Sequence, residues 1–404
     1  MTGSTPHVGV PSFGPSDWPD RIHASGAEPV PLRLPPARPR GGVALAREWI
    51  ADATEVLCAE EAGPDSLLLE AGTPEGLFGM LIAAARLNLP TVCAVPPGSP
   101  LSASLAALGL APTGAKGAAR LVADGVPPPS DLLDNFSFAN ALRAGTRAGG
   151  GPELIVHLSA LAREAGMPGF AQMARVLAPE TPMGPPEWTV EHGVPALLAS
   201  LGDDLHDVPT VSGRLKDGLP GAVDGPDAAH RCVILRARAS GAEAFCVAPV
   251  GVSEVAGVCR VFPSEEEAVR TVRDGGVQDE ELLVVAGCGP RGGPGLLRLD
   301  ALGEALRKAD LRTPVMTDGL APHGPPGVWA SLFAPEAAAG GVMRRLRTGD
   351  VLRLALDAGR IRTEVGSEEL GTREPLDVPA RTGPGYAARY ARSALPAIEG
   401  AGFG

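Results

Sequence analysis

The chain has 404 residues, 44% apolar and 20% charged, which is ample for more than one buried core. A net charge of −12 with no basic run excludes a nucleic-acid or anionic-membrane surface as the expected partner. No apolar run approaches the roughly 18 residues of a membrane span, no basic-then-apolar leader opens the chain, and the six cysteines form no CxxC pair or zinc-type spacing, so a reduced, cytoplasmic protein without a metal site is expected. Residues 1–43 are rich in Pro, Gly and Ser and read as an irregular leader. From Ala44 to Leu57 apolar residues recur at helical spacing, with Leu45, Trp49, Ile50 and Ala53 on one face. Residues 66–69 are an apolar run of strand length, 75–88 a strongly apolar helix stopped by Pro90, and 91–95 a second buried strand. Strand, helix and strand within about 30 residues make a βαβ unit and predict a parallel sheet.

Helices are expected over 99–110, 136–147, 152–165 and 193–201. The turn-rich segment 218–227 separates a first domain, 44–217, from a second, 228–375. In the second, 232–236, 244–247 and 259–262 read as strands. Ser264, with Glu267 three residues on, opens a helix, and 351–365 is a hairpin turning at Asp357-Ala358-Gly359. This half is a mixed β domain with a few helices. Residues 376–404 lose periodicity and read as a tail.

The apolar run 282–286 leads into Gly287-Cys288-Gly289-Pro290-Arg291-Gly292-Gly293-Pro294-Gly295, and a helix over 299–309 follows. Five glycines and two prolines in nine residues make a fixed loop. Such a loop turns backbone N–H groups toward an anion.

Several segments match one family in its own order. Ala46–Asp52 (AREWIAD) resembles SRELIADS, and Gly79–Thr91 (GMLIAAARLNLPT) closely resembles GMLMAAARLNIPT. Arg260–Glu266 (RVFPSEE) resembles RVFDSEE, Gly289–Gly295 (GPRGGPG) resembles GPKGGPG, and Thr317-Asp318-Gly319 resembles the start of TDGRFSGG. Ala334-Pro335-Glu336-Ala337 resembles SPEA. The chain is thereby similar to the dihydroxy-acid and sugar-acid dehydratases, which include 6-phosphogluconate dehydratase. That resemblance implies an α/β fold class: an N-terminal parallel-sheet α/β domain, a C-terminal mixed β-barrel-like domain, a site between them, and a homodimer. It also implies elimination of water from a 2,3-dihydroxy acid, with an iron–sulfur cluster as Lewis acid, magnesium on the substrate and a serine alkoxide as base.

The departures from the family pattern bear on chemistry. No Cys precedes Cys58, so the first cluster ligand is missing. In place of GCDK stands Gly72-Thr73-Pro74-Glu75, and the GSCGGMF segment is deleted between Pro97 and Ser102. The magnesium-binding glutamate of HEGM falls near Arg38, the glutamate before GPKGGPG is Cys288, and the catalytic serine falls at Pro322. Hence no cofactor is expected.

The candidates that remain are Cys288, His323 and Asp318 as catalytic groups, with Arg291, Gly292 and Gly293 binding an anionic substrate. Glu75 and Glu153 lie nearby. A Cys288–His323 nucleophilic pair stands against a buried structural cysteine and a solvated loop histidine. His157, among Ile155, Val156 and Leu158, reads as a satisfied core histidine, and Cys93 as packing. Two functions follow: a repurposed, cluster-independent lyase-type enzyme acting on a small anionic metabolite, or a catalytically inactive partner or ligand-binding subunit.

Overall fold

The computed structural model describes residues 5–34, 42–59, 63–113, 117–293, 295–378 and 384–404. Strands β1 (His7–Ser12), β2 (Glu28–Arg33), β3 (Ser66–Leu69) and β4 (Thr91–Cys93) form one parallel sheet in the order β2-β1-β3-β4. The first two strands correct the expectation of an irregular leader. β2 reads Glu-Pro-Val-Pro-Leu-Arg, and its prolines are tolerated because β2 is an edge strand, where missing N–H donors break no ladder. Helix α1 (Trp18–Ala24) connects the two.

Helices α2 (Val43–Cys58) and α3 (Pro74–Leu87) follow the predicted apolar periodicity and pack on each other. Their approach needs Gly79, because a Cβ there would lie 2.7 Å from the Arg47 carbonyl oxygen. Thr73 caps α3 by accepting from Gly76 N at 3.3 Å, Pro74 fits its first position, and Asn88 ends it at φ 52°. Next come α4 (Pro100–Ala107), α5 (Ala118–Asp124), α6 (Pro129–Leu132), α7 (Asn135–Arg147) and α8 (Pro152–Glu164). The helix expected over 193–201 is present as Val194–Ala199, and a further helix, Pro186–His192, precedes it across Gly193.

After a two-residue hairpin, β5 (Pro209–Thr210) and β6 (Gly213–Arg214), the second half closes into an eight-stranded barrel. Its strands are β7 (His230–Ala237), β8 (Ala242–Pro249), β9 (Glu254–Phe262), β10 (Glu281–Val285), β11 (Val315–Thr317), β12 (Trp329–Ala334), β13 (Val351–Ala355) and β14 (Arg360–Thr363). The order β10-β11-β12-β8-β7-β14-β13-β9 mixes parallel and antiparallel pairs. Closure leaves no exposed edge in a half this rich in short strands. The expected structureless tail carries the helix Tyr386–Ser393, and Tyr390 donates its hydroxyl to the Ala401 carbonyl at 2.6 Å. No helix among the described residues is long and apolar enough to cross a membrane.

Candidate functional site

The glycine loop sits at the end of β10, beside the end of β11, because the two strands run parallel with Val285 opposite Thr317. Asp318 therefore lies next to the loop. Its buried carboxylate accepts from Cys288 N at 2.8 Å, Ala337 N at 2.9 Å and Gly287 N at 3.1 Å. Glu336, also buried, accepts from Arg291 N at 3.0 Å and Gly292 N at 3.4 Å. Gly289 makes room for it, since a Cβ there would come within 2.3 Å of Glu336 Oε2.

The loop is thus a cradle of backbone N–H groups, but the carboxyl groups it holds are the protein's own side chains. Arg291, Gly292 and Gly293, expected to hold substrate, are not on the wall of the adjoining cleft. The Arg291 guanidinium instead donates from Nε to the Ala394 carbonyl at 3.0 Å.

Cys288 and His323 are not brought together either. Cys288 is 2% exposed and packs among Leu299, Leu302 and Val315, on the barrel side of the loop. Burial, with the nearby Asp318 and Glu265 charges, pushes its thiol well above the usual range. A thiol so placed is neither ionised nor accessible, so it is no nucleophile. All six cysteines are buried. The native protein should therefore show no fast thiol toward a disulfide reagent, and six after unfolding. One thiol reacting at the rate of a free one in the native state would reverse this assignment.

His323 lies on the cleft between the two halves. This cavity, of about 560 Å³, is bounded by residues 71–74, 95–101 and 149–154 on one side and by Val247 and residues 321–325 on the other. Three helices begin at it, α3, α4 and α8, each with a proline in its first turn. Their N-termini turn the positive ends of three helix dipoles toward one space.

Glu153, in the first turn of α8, is the hub. It accepts from Arg298 Nη1 at 2.8 Å, stands 3.2 Å from His323 Nε2 and lies 3.5 Å from His157 Nε2. Burial alone would raise its pKa. The two imidazoles and the Arg298 charge outweigh burial and hold the carboxyl well below its ordinary range. His323 has a mostly exposed side chain, and the Glu153 bond raises its pKa.

His157 is 1% exposed and stacks on Phe78, with ring centroids 4.9 Å apart. Burial and then the Arg47 charge, against the opposing pull of Glu153, lower its pKa and favour the neutral ring. Arg47 Nη1 stands 3.5 Å from Nδ1. A guanidinium can only donate, so Nδ1 accepts and the proton resides on Nε2. His157 borders the cleft, and its buried Nε2 makes no hydrogen bond, with Glu153 Oε1 3.5 Å away. His157 is therefore buried but not satisfied, which corrects the core-histidine expectation. The signal was present in the sequence: Glu153 and His157 are four residues apart on one helix, behind a Gly149–Gly151 turn.

The family model for the C-terminal part of dihydroxy-acid/6-phosphogluconate dehydratases matches residues 237–401. Dihydroxy-acid dehydratases from Citrifermentans bemidjiense and from Geobacter sp. strain M21 are each 29% identical over 386 residues, covering 87% of this chain and 68% of theirs. One from Chloroflexus aggregans is 30% identical over 306 residues, covering 67% of this chain and 54% of its own. The chain belongs to the dihydroxy-acid/6-phosphogluconate dehydratase family.

The cleft offers few donors to a metal. Among the described residues its wall carries no cysteine, and no three His, Cys, Asp or Glu are grouped to hold a metal ion. Its one carboxylate, Glu153, already faces an arginine and two imidazoles. Such donors do not fit an iron–sulfur cluster, whose irons take thiolates, or magnesium, which takes several oxygens. Thr73 is engaged in capping α3. Glu75 has a buried, unpartnered Oε2 but is not on the wall. Arg38 lies outside the described residues.

Proposed function

We propose that this dehydratase-family protein is a cluster-independent, lyase-type enzyme that performs acid–base chemistry on a small anionic metabolite in the cleft. The Glu153–His323 pair on the cleft, with the buried Nε2–H of His157 beside it, carries the reading. Environments that push two titratable groups apart assign their roles. His157, neutral, donates to an oxygen on which negative charge develops. His323, oriented and made more basic by Glu153, takes the proton from the carbon next to the carboxylate. It returns that proton to the departing hydroxyl, so C–H and C–O bonds break, a C=C bond forms and water leaves. Arg298 holds Glu153 ionised.

The test is hydrogen–deuterium exchange at C2, followed by NMR in D2O, over a panel of 2-hydroxy and 2,3-dihydroxy acids. The anaerobically purified protein should carry no stoichiometric iron or sulfide. It should leave 2,3-dihydroxyisovalerate and gluconate unchanged and exchange at least one other acid. His323→Asn should lower that exchange about 10²–10⁴-fold. A panel in which nothing binds and nothing exchanges sinks the proposal. Binding without exchange supports the second reading, a non-catalytic ligand-binding subunit. Its motivation is that the loop amides bound by Asp318 and Glu336 now serve the scaffold.

A further inference from the structure

We infer that the cleft takes an acid with an extended apolar body, not a short diol acid or a sugar acid. This rests on the cleft being the ligand site proposed above. Outside the Glu153–His157–His323 corner, the side-chain hydroxyls on the described wall are engaged in capping. Thr73 caps α3, and Ser99 caps α4 by accepting from Ser102 N at 3.1 Å. Seven wall residues are prolines, which bring no N–H. Phe78, Leu101, Leu154, Met183 and Val247 supply much of the remaining surface. A sugar acid buried here would strip water from several hydroxyls and return few hydrogen bonds.

Volume points the same way. A five-carbon diol acid has about nine heavy atoms and fills on the order of 270 Å³, taking ~30 Å³ for each as for liquid water. The cavity is about 560 Å³, within the range of sites for larger organic ligands. Its charge selects the head group. Glu153 and Arg298 cancel, and the N-termini of α3, α4 and α8 leave the corner positive. The buried His157 Nε2–H makes no hydrogen bond and has only Glu153 Oε1, 3.5 Å away, so an acceptor oxygen reaching this corner gains a donor. One acidic head and an apolar remainder meet all of these demands.

The experiment is calorimetric titration of the full chain with straight-chain 2-hydroxy acids from butyrate to decanoate, with gluconate and the matching uncharged 1,2-diols as controls. Affinity should tighten about fourfold per added methylene until the cavity is full. Gluconate and the diols should bind at least tenfold more weakly than the octanoate member. Leu101→Asn should flatten the length dependence. His157→Asn should weaken all members by a similar factor. Affinity independent of length, or gluconate binding as tightly as the octanoate member, overturns the apolar-body inference and leaves an acid site standing. Diols binding as well as acids overturns the acidic head. Binding by none of these compounds overturns both this inference and the ligand-site reading beneath it.

Discussion

Arg47→Met should lower the stability of the native state by about 3–5 kcal/mol. Arg47 is fully buried on α2. It donates to Glu48 Oε1 from Nε at 3.0 Å and from Nη2 at 2.8 Å. Nη2 also reaches the Gly400 carbonyl, and Nη1 stands 3.5 Å from the Val156 carbonyl and from His157 Nδ1. One guanidinium thus joins α2, α8 and the C-terminal turn. Methionine fills most of the volume but leaves the Glu48 carboxylate, 2% exposed, without its partner. A buried charge that loses its partner costs far more than the pair contributed.

The double variant Arg47→Met/Glu48→Met should therefore recover much of the loss, a positive coupling readable in a double-mutant cycle of urea midpoints. Arg47→Lys keeps the charge but not the fork, so it should fold while releasing Nδ1 of His157. In that variant the imidazole ¹⁵N shifts should move toward a mixture of tautomers. A loss under about 1 kcal/mol for Arg47→Met would place the cluster among near-neutral ion pairs. Unchanged ¹⁵N shifts in Arg47→Lys would remove its role in orienting His157.

Glu336→Gln should abolish a decline in stability between pH 5 and pH 8. Burial, and then the Asp318 charge, push the Glu336 carboxyl up to about 7, against the N–H groups of Arg291 and Gly292. The folded state keeps that proton up to about pH 7, whereas the unfolded chain releases it near pH 4.3. The folded state thus binds more protons in this window. The stability Glu336 contributes is fully present below the unfolded value and is lost as pH rises through 7. With about 1.4 kcal/mol per unit, the loss at pH 8 is about 3 kcal/mol.

Glutamine is neutral throughout and keeps one oxygen to accept from Arg291 N. The variant should be the more stable protein at pH 8 and should lose the advantage near pH 5. A smaller slope remains from Asp318, which burial also raises. Parallel stability curves for variant and parent across pH 5–8 would show that Glu336 is already ionised in the fold.

Local periodicity carried much of the fold. Helices α2 and α3 and strand β3 show in the sequence because their apolar spacing is set by one buried face or by full burial. Strand β2 does not, because proline ordinarily argues against a strand and only an edge position, a property of the whole sheet, removes the objection. The glycine loop was legible as an anion cradle. That Glu336 fills it was not, since the carboxylate arrives from 45 residues away.

By itself the sequence determined the family, the parallel α/β half and the presence of a donor-rich glycine loop. These are matters of residue identity at short spacing, where helix and strand periods and ligand chemistry act locally. Only the tertiary structure decided which polar groups are free to meet a ligand. Cys288 is closed off by barrel residues, and the loop amides are taken by Asp318 and Glu336. His157 has its tautomer set by Arg47, 110 residues away, which leaves the buried Nε2–H without a hydrogen bond. The physical reason is that a buried hydrogen-bonding group is satisfied or orphaned by neighbours that folding alone brings to it.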